Sequence, residues 1–270
     1  MKRNLFFLFA VLATTFASAT VTSSNTLCWI KVNNTCTNVV ISTALVDVGL
    51  PATSSIDVSN FILTKNLHVG DSLVKKVLSG GKWSWQGWAV VEDSGTSALV
   101  WQAVSVTSGD RQFAEATSDY LDVANAFVLH RSDPVASNPI YIRGQVECAV
   151  ARTQTATEQV TLMANAGLTD VYIEDIPWTQ GPAEGDKIRF LTDNAGTGTI
   201  DYTWTKPSKE ASACWCTNIV TVVGTGWLAH DEIVPDPVGA DSVSVPVGQG
   251  FYFTRKSTSG TAPSITWTVD

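Results

Sequence analysis

The sequence predicts an all-β protein made of two similar tandem domains, each a β-sandwich or a β-barrel-like unit. Three observations carry that prediction. Short runs of β-branched and aromatic residues recur between clusters of Gly, Ser, Asp and Pro, the pattern of strands parted by turns. Helical spacing is scarce, with 72–79 and 158–166 the only stretches that read as short helical pieces. The two halves also match one another in order, the mark of an internal duplication.

Taken from the N-terminus, Met1-Lys2-Arg3-Asn4 is basic, Leu5 to Phe16 is apolar, and Ala17-Ser18-Ala19 closes the segment with small residues. This is the form of a secretory signal peptide over 1–19. Its apolar run is too short to cross about 30 Å of hydrocarbon, and no later stretch reaches 18 apolar residues. No transmembrane anchor is expected. A secreted, extracellular or cell-surface location is, with the periplasm as the alternative.

Setting Cys28 over Cys148 also pairs Thr35 with Thr155, Thr37 with Thr157, Val40 with Val160 and Ala44 with Ala164. Gly70-Asp71-Ser72-Leu73 then faces Gly185-Asp186-Lys187-Ile188, Trp83-Ser84-Trp85 faces Tyr202-Thr203-Trp204, and Val100-Trp101 faces Cys214-Trp215. Val123, Phe127, Arg131 and Pro139 meet Val247, Phe251, Arg255 and Pro263 at one constant offset. The expected organisation is therefore a first β-rich repeat over 20–147 and a second over 148–270. Expected strands include Val39-Val40-Ile41, Ala98 to Trp101, Ile140-Tyr141-Ile142, Val171-Tyr172-Ile173, Lys187 to Leu191, Asn218 to Val223 and Phe251-Tyr252-Phe253. Asp193 to Gly198 reads as a hairpin loop.

The run Val247-Gly248-Gln249-Gly250-Phe251-Tyr252-Phe253, with the closing Ile265-Thr266-Trp267, resembles a strand motif of uncharacterised secreted bacterial surface proteins. The first half departs from it at Ala124-Asn125-Ala126, where both glycines are missing. The resemblance implies a surface location and no activity.

Export favours disulfides, and Cys28, Cys36, Cys148, Cys214 and Cys216 are the cysteines available. Five is odd, which leaves one free or paired between chains. Cys28 and Cys36 suit a local bridge, and Cys148 suits either member of the Cys214-Trp215-Cys216 pair. That pair is poorly placed to bridge to itself. His68, His130 and His230 show no metal-ligand spacing with the cysteines, so no metal or other cofactor is expected.

The composition, 44% hydrophobic and 16% charged, excludes intrinsic disorder. A net charge of −8 argues against nucleic acid or an anionic membrane as partner. Among catalytic patterns, Gly70-Asp71-Ser72-Leu73 resembles the nucleophile block of GDSL-type esterases, which implies Ser72 as nucleophile. The Asp-x-x-His that should accompany it is missing, and Gly-Asp reads better as a turn opening a strand. His230-Asp231-Glu232, Glu184 with Asp186, and Asp193-Asn194 bring acids together without a calcium-loop pattern. Glu92, Glu115, Glu147 and Glu174 carry no signal of a glycosidase pair. No catalytic residues are assigned.

The excess of tryptophan is more informative, at 10 of 270 residues. Trp85 and Trp101 have Trp partners in the second half, Trp204 and Trp215, and read as shared core positions. Trp83, Trp88, Trp178 and Trp227 lack partners and are the candidate ligand-binding residues, since exposed indoles grip sugar rings. The expected function is a non-catalytic secreted or cell-surface structural or adhesive protein. Its expected partners are itself, other surface proteins or a polysaccharide. A carbohydrate-binding protein is the first alternative and a secreted hydrolase the second. Asn33-Asn34-Thr35 is a glycosylation sequon.

Overall fold

In Val39-Val40-Ile41 and Ala126-Phe127-Val128-Leu129, apolar residues adjoin rather than alternate, and every one of these side chains is buried. A strand buried on both faces needs a layer on each side, and the whole architecture is organised around two such sheets. The computed structural model describes residues 27–32, 37–42, 56–58, 62–79, 82–104, 106–108, 111–115, 120–121, 126–133, 139–145, 151–191, 199–223, 230–239 and 241–268. The signal-peptide segment, the Asn33 sequon and the Asp193–Gly198 stretch lie outside them.

The first half contributes β1 (Leu27–Val32), β2 (Asn38–Ser42), β3 (Ile56–Asp57), β4 (Ser72–Ser79), β5 (Lys82–Glu92), β6 (Leu99–Ala103), β7 (Val106–Ser108), β8 (Arg111–Glu115), β9 (Tyr120–Leu121), β10 (Ala126–His130) and β11 (Ile140–Gln145). The second contributes β12 (Arg152–Thr155), β13 (Val160–Ala164), β14 (Val171–Tyr172), β15 (Trp178–Gln180), β16 (Lys187–Leu191), β17 (Thr199–Thr205), β18 (Cys214–Val223), β19 (His230–Pro237), β20 (Ser244–Val245), β21 (Gly250–Thr254) and β22 (Ser264–Trp267). A 3-10 turn, Ile173–Asp175, replaces the end of the expected Val171–Ile173 strand.

A seven-stranded sheet runs β2-β10-β4-β5-β8-β7, with β6 also on β5. A six-stranded sheet runs β13-β21-β16-β17-β18-β19, and β12-β22-β15 form a third; β1–β11, β3–β9 and β14–β20 are two-stranded. The fold is all-β, as expected. Among the described residues each sheet is an open path, so the barrel alternative falls. No helix there is long and apolar enough to cross a membrane.

Both stretches expected to be helical are strand. Residues 72–79 are β4, and 158–166 contain β13. The misleading signal is two-sided burial. Leu73 faces the first core, Val74 faces the opposite side, and both are buried, which blurs the period-2 pattern that marks a strand.

The halves repeat one pairing scheme. In the first, β2 pairs β10, β10 pairs β4, β4 pairs β5 and β5 pairs β6; in the second, β13 pairs β21, β21 pairs β16, β16 pairs β17 and β17 pairs β18. Leu73 lies opposite Leu129 and Trp88; Ile188 lies opposite Phe253 and Tyr202. The register thus sets Trp88 against Tyr202 and Val90 against Trp204, not Trp85 against Trp204. It also matches Ile41 with Met163, two residues away from the expected Val40–Val160 alignment. The first hairpin spans nearly the same length as the second, so the gap that aligned Trp85 with Trp204 has no structural counterpart.

Each half closes its own core. Ile41, Leu73, Trp88, Val90, Trp101, Phe127 and Ile142 are among the residues of the first; Met163, Ile188, Trp215, Phe251, Phe253 and Trp267 belong to the second. The opposite faces of the two large sheets meet at a seam. Val40, Ala126 and Ala164 pack there with Leu162, Leu191 and Tyr252, beside Val74 and Val128. Polar groups stitch it: Ser42 donates its N–H to the Gly248 carbonyl at 3.0 Å and its hydroxyl to the Asn165 carbonyl at 2.7 Å, and Lys76 pairs with Glu158.

Gly248 and Gly250 hold this junction. Gly248 has φ +77°, and a Cβ there would lie 2.7 Å from Ile30 Cγ2. A Cβ on Gly250 would collide with the Met163 carbonyl oxygen. The Gly-Gln-Gly spacing therefore marks a close approach of chain to core. Gly248 does this between the halves, which is why one half can lack the pattern.

Candidate functional site

The two Gly-Asp sequences build the same device in each half. Gly70 (φ +93°) and Gly185 (φ +91°) occupy the left-handed region that glycine takes without strain. Gly70 donates its N–H to the Val90 carbonyl at 3.0 Å, and Val90 returns a bond to the Asp71 carbonyl at 2.8 Å; Gly185 and Trp204 make the same exchange, with Asp186 receiving at 2.8 Å. The Asp71 carboxylate accepts the His68 N–H at 3.0 Å and both the N–H and hydroxyl of Ser132 at 2.8 Å. Asp186 accepts the Ala183 N–H at 2.8 Å and the Lys256 N–H at 2.9 Å.

The residue before each of the two distant donors, Ser132 and Lys256, is a buried arginine. Arg131 is wholly buried and Arg255 is 4% exposed. Arg131 donates to the Asn66 carbonyl at 3.2 Å. Arg255 donates to the carbonyls of Ala156, Gly260 and Thr261. Burial pushes the Arg131 guanidinium below its ordinary value, and the nearby Asp71 and Asp133 pull it back up. The expected Phe-x-x-x-Arg correspondence thus lands on two matched arginine latches.

These latches absorb the motif that resembled an esterase block. Ser72 is 2% exposed inside β4, whereas a nucleophile of that type must stand clear at a turn. Asp186 is engaged by the backbone amides of Ala183 and Lys256, and Glu184 accepts from the Thr205 hydroxyl at 3.5 Å. Among the described residues no group of three His, Cys, Asp or Glu side chains is placed to hold a metal ion. Glu92 is exposed at the end of β5. The side chains of Glu115, His230, Asp231 and Glu232 lie outside the described residues, as does Glu147.

The second half holds a thiol and aromatic cluster. Cys214 and Cys216 are free thiols on one face of β18 with sulfurs 3.6 Å apart. At that separation the two do not bridge to one another, an S–S bond being about 2.0 Å, and with both thiols free the expected bridge from Cys148 to either of them is corrected. Cys36 and Cys148 are outside the described residues; Cys28 has its backbone in β1 and no described side chain. Burial, the neighbouring Cys214 and the charge of Glu174 push the Cys216 thiol up to about 12. Glu174 accepts the Trp215 N–H at 3.2 Å, and burial raises its carboxyl above the ordinary value. Trp178 packs against Trp215 and Phe253 at centroid separations of 6.5 and 5.3 Å.

The candidate tryptophans separate. Trp88 is fully buried with Lys75 Nζ 5.2 Å from its ring centroid, so it is a core residue and the ligand-binding assignment is corrected. Its place in the core is the one Tyr202 takes in the other half. Trp178 is half-buried over the second core. Trp83 has its backbone in β5 and Trp227 lies outside the described residues. Near Trp178, an open cleft of about 350 Å³ is lined by Gln180, Glu184, Asp186, Arg255, Lys256 and Ser259, among others. Its two buried charges are those of the second latch, which leaves it a structural hollow.

One surface residue escaped the tryptophan argument. Trp29 on β1 is 53% exposed, more than any other described aromatic side chain. It shares an outward face with Lys31 of β1 and with Tyr141 and Arg143 of β11, the register setting Trp29 opposite Arg143 and Lys31 opposite Tyr141. Ile30, Val32, Ile140 and Ile142 point the other way into the core. The signal was present in the strict alternation of Trp29-Ile30-Lys31-Val32, which puts Trp and Lys on the wet side of a strand.

Comparison with protein-family models, with curated proteins and with solved structures found no match.

Proposed function

We propose that this chain is a non-catalytic secreted or cell-surface structural and adhesive protein, built of two β domains that arose by internal duplication. One observation carries the reading: the same Gly–Asp turn and buried arginine recur in both halves, committing the strongest polar groups to holding strands rather than to an accessible site. The leader-like N-terminus and the resemblance of the Gly248–Phe253 strand to secreted surface proteins support the location. β12 and β15, which flank β22, have one side unpaired among the described residues and suit association by strand addition. Cys214, half-exposed, suits a covalent link between chains.

Light scattering after gel filtration, with and without reductant, tests this. An assembly larger than the monomer is expected, partly dissociated by reductant. A clean monomer of about 27 kDa in both conditions, for a mature chain of roughly 250 residues, overturns the assembly. The hydrolase alternative is weakened by the burial of Ser72; ester turnover abolished by Ser72→Ala would restore it.

A further inference from the structure

We propose that Cys214 and Cys216 form a chelate for one soft, thiophilic metal ion of the copper(I) and silver(I) class. Two residues apart on β18, their side chains leave the strand on one face, and their sulfurs stand 3.6 Å apart. That is too wide for an S–S bond of about 2.0 Å. It matches a single ion held about 2.3 Å from each sulfur, which closes an S–metal–S angle of roughly 100°. Cys214 is half-exposed and gives the ion its way in; Cys216 is fully buried and holds the inner end. Turning the Cys214 side chain outward opens the angle toward the linear geometry such ions favour.

The fold does not require thiols here. The register that sets Trp101 against Trp215 sets Val100 against Cys214 and Gln102 against Cys216, and both of those first-half residues are exposed. A buried cysteine alone would pass as a small apolar filler, but that reason does not extend to the half-exposed one beside it. The Cys216 thiol donates to the carbonyls of Cys214 and Thr205 at 3.7 and 3.9 Å, weak bonds that an ion readily displaces.

The donor set selects the ion. Structural zinc takes four ligands, whereas among the described residues no third His, Cys, Asp or Glu joins this pair. Calcium and magnesium need oxygen ligands. Thiolates prefer soft ions, and copper(I) and silver(I) are satisfied by two. Burial pushes the Cys216 thiol up to about 12, so this sulfur keeps its proton until an ion displaces it. Binding makes two metal–sulfur bonds and breaks two S–H bonds; the protons pass to water and no electron is transferred. The net charge of −8 favours the approach of a cation. The inference goes beyond the assembly reading, since a Cys214 linked to another chain cannot take the ion. Its test therefore starts from reduced protein and reads binding rather than size.

The mature protein is reduced, freed of reductant and titrated with silver(I) in chloride-free buffer, followed by calorimetry and by the ultraviolet absorption of silver–thiolate bonds. Cys28, Cys36 and Cys148 stay in place, so the readout is the site lost on substitution. A tight site for one ion is expected, which Cys214→Val and Cys216→Ser each weaken about a hundredfold or more, because either change ends the chelate. Cys214→Val copies the first half at a half-exposed position, and leaves the fold intact should Cys216→Ser disturb it. One equivalent of silver(I) should also shield Cys214 from iodoacetamide, read by mass mapping. Full affinity retained in Cys214→Val, unchanged alkylation of Cys214, or zinc(II) bound as tightly as silver(I) overturns the proposal.

Discussion

Replacing Gly248 with alanine tests the seam directly. The residue sits at φ +77°, and a Cβ would come within 2.7 Å of Ile30 Cγ2, 3.2 Å of Val32 Cγ2 and 3.3 Å of Ile142 Cδ1. A left-handed alanine costs about 1–2 kcal/mol. Forcing a methyl among three packed core side chains costs about 1–3 kcal/mol more. The smaller entropy of the unfolded alanine chain returns about 0.4–1 kcal/mol. The net loss of about 2–4 kcal/mol is a large share of the 5–15 kcal/mol typical of a folded domain, and lowers the melting midpoint by about 5–15 °C. Two controls separate the contributions. Gly70 has φ +93° and open space around its Cβ, so Gly70→Ala should lose only the backbone strain, about 1 kcal/mol net. Gly181 has neither a left-handed φ nor a neighbour within 4 Å, and its replacement should be neutral or slightly stabilising. Urea unfolding followed by tryptophan fluorescence ranks the three. Equal losses at Gly248 and Gly70 would show that the approach of the 246–249 turn to Ile30 contributes nothing, and the seam described above would be refuted.

The latches make a second prediction. Asp186→Ala strands the amides of Ala183 and Lys256, and Asp71→Ala those of His68 and Ser132, so each should cost about 2–3 kcal/mol in the same unfolding assay. A loss near zero at either site would remove its latch. Cys216, pushed up to about 12 and buried, should resist iodoacetamide at pH 8 in the folded protein while Cys214 reacts; mass mapping showing Cys216 modified first would contradict that. Arg189 grips Asp201 through two bonds of 2.6 and 2.7 Å, which holds the Asp201 carboxyl below its ordinary value. Its contribution is therefore present above about pH 4, the usual carboxylate value, and is lost as pH falls through the lower folded value. Both side chains are part-exposed, so Asp201→Asn should cost less than about 1 kcal/mol at pH 7. An undiminished difference at pH 2 would refute the pairing.

The candidate sites were legible in the sequence to different depths. Gly70-Asp71 and Gly185-Asp186 could be aligned and read as turns, because glycine and aspartate have few other reasons to stand before a strand. Their coupling to Arg131 and Arg255 could not, since those residues are about 60 to 70 positions away and meet only through the β10–β4 and β21–β16 pairings. Trp88 shows the same limit. It has no aligned tryptophan because Tyr202 fills its place, so an argument from unmatched tryptophans sent a core residue to the surface and passed over Trp29.

Composition and local pattern alone determined the all-β class and most of the strands, because β-branched residues, turn glycines and apolar runs act within a few residues of themselves. The tertiary structure decided everything that depends on which strands are neighbours. It made sheets open rather than closed and turned two apparent helices into strands buried on both faces. It also left Cys214 and Cys216 as thiols and placed the Gly248–Gly250 turn where the halves meet. Those outcomes follow from long-range packing against the seam, and no local preference of Leu73, Val74 or Gly248 encodes the face that lies across from it.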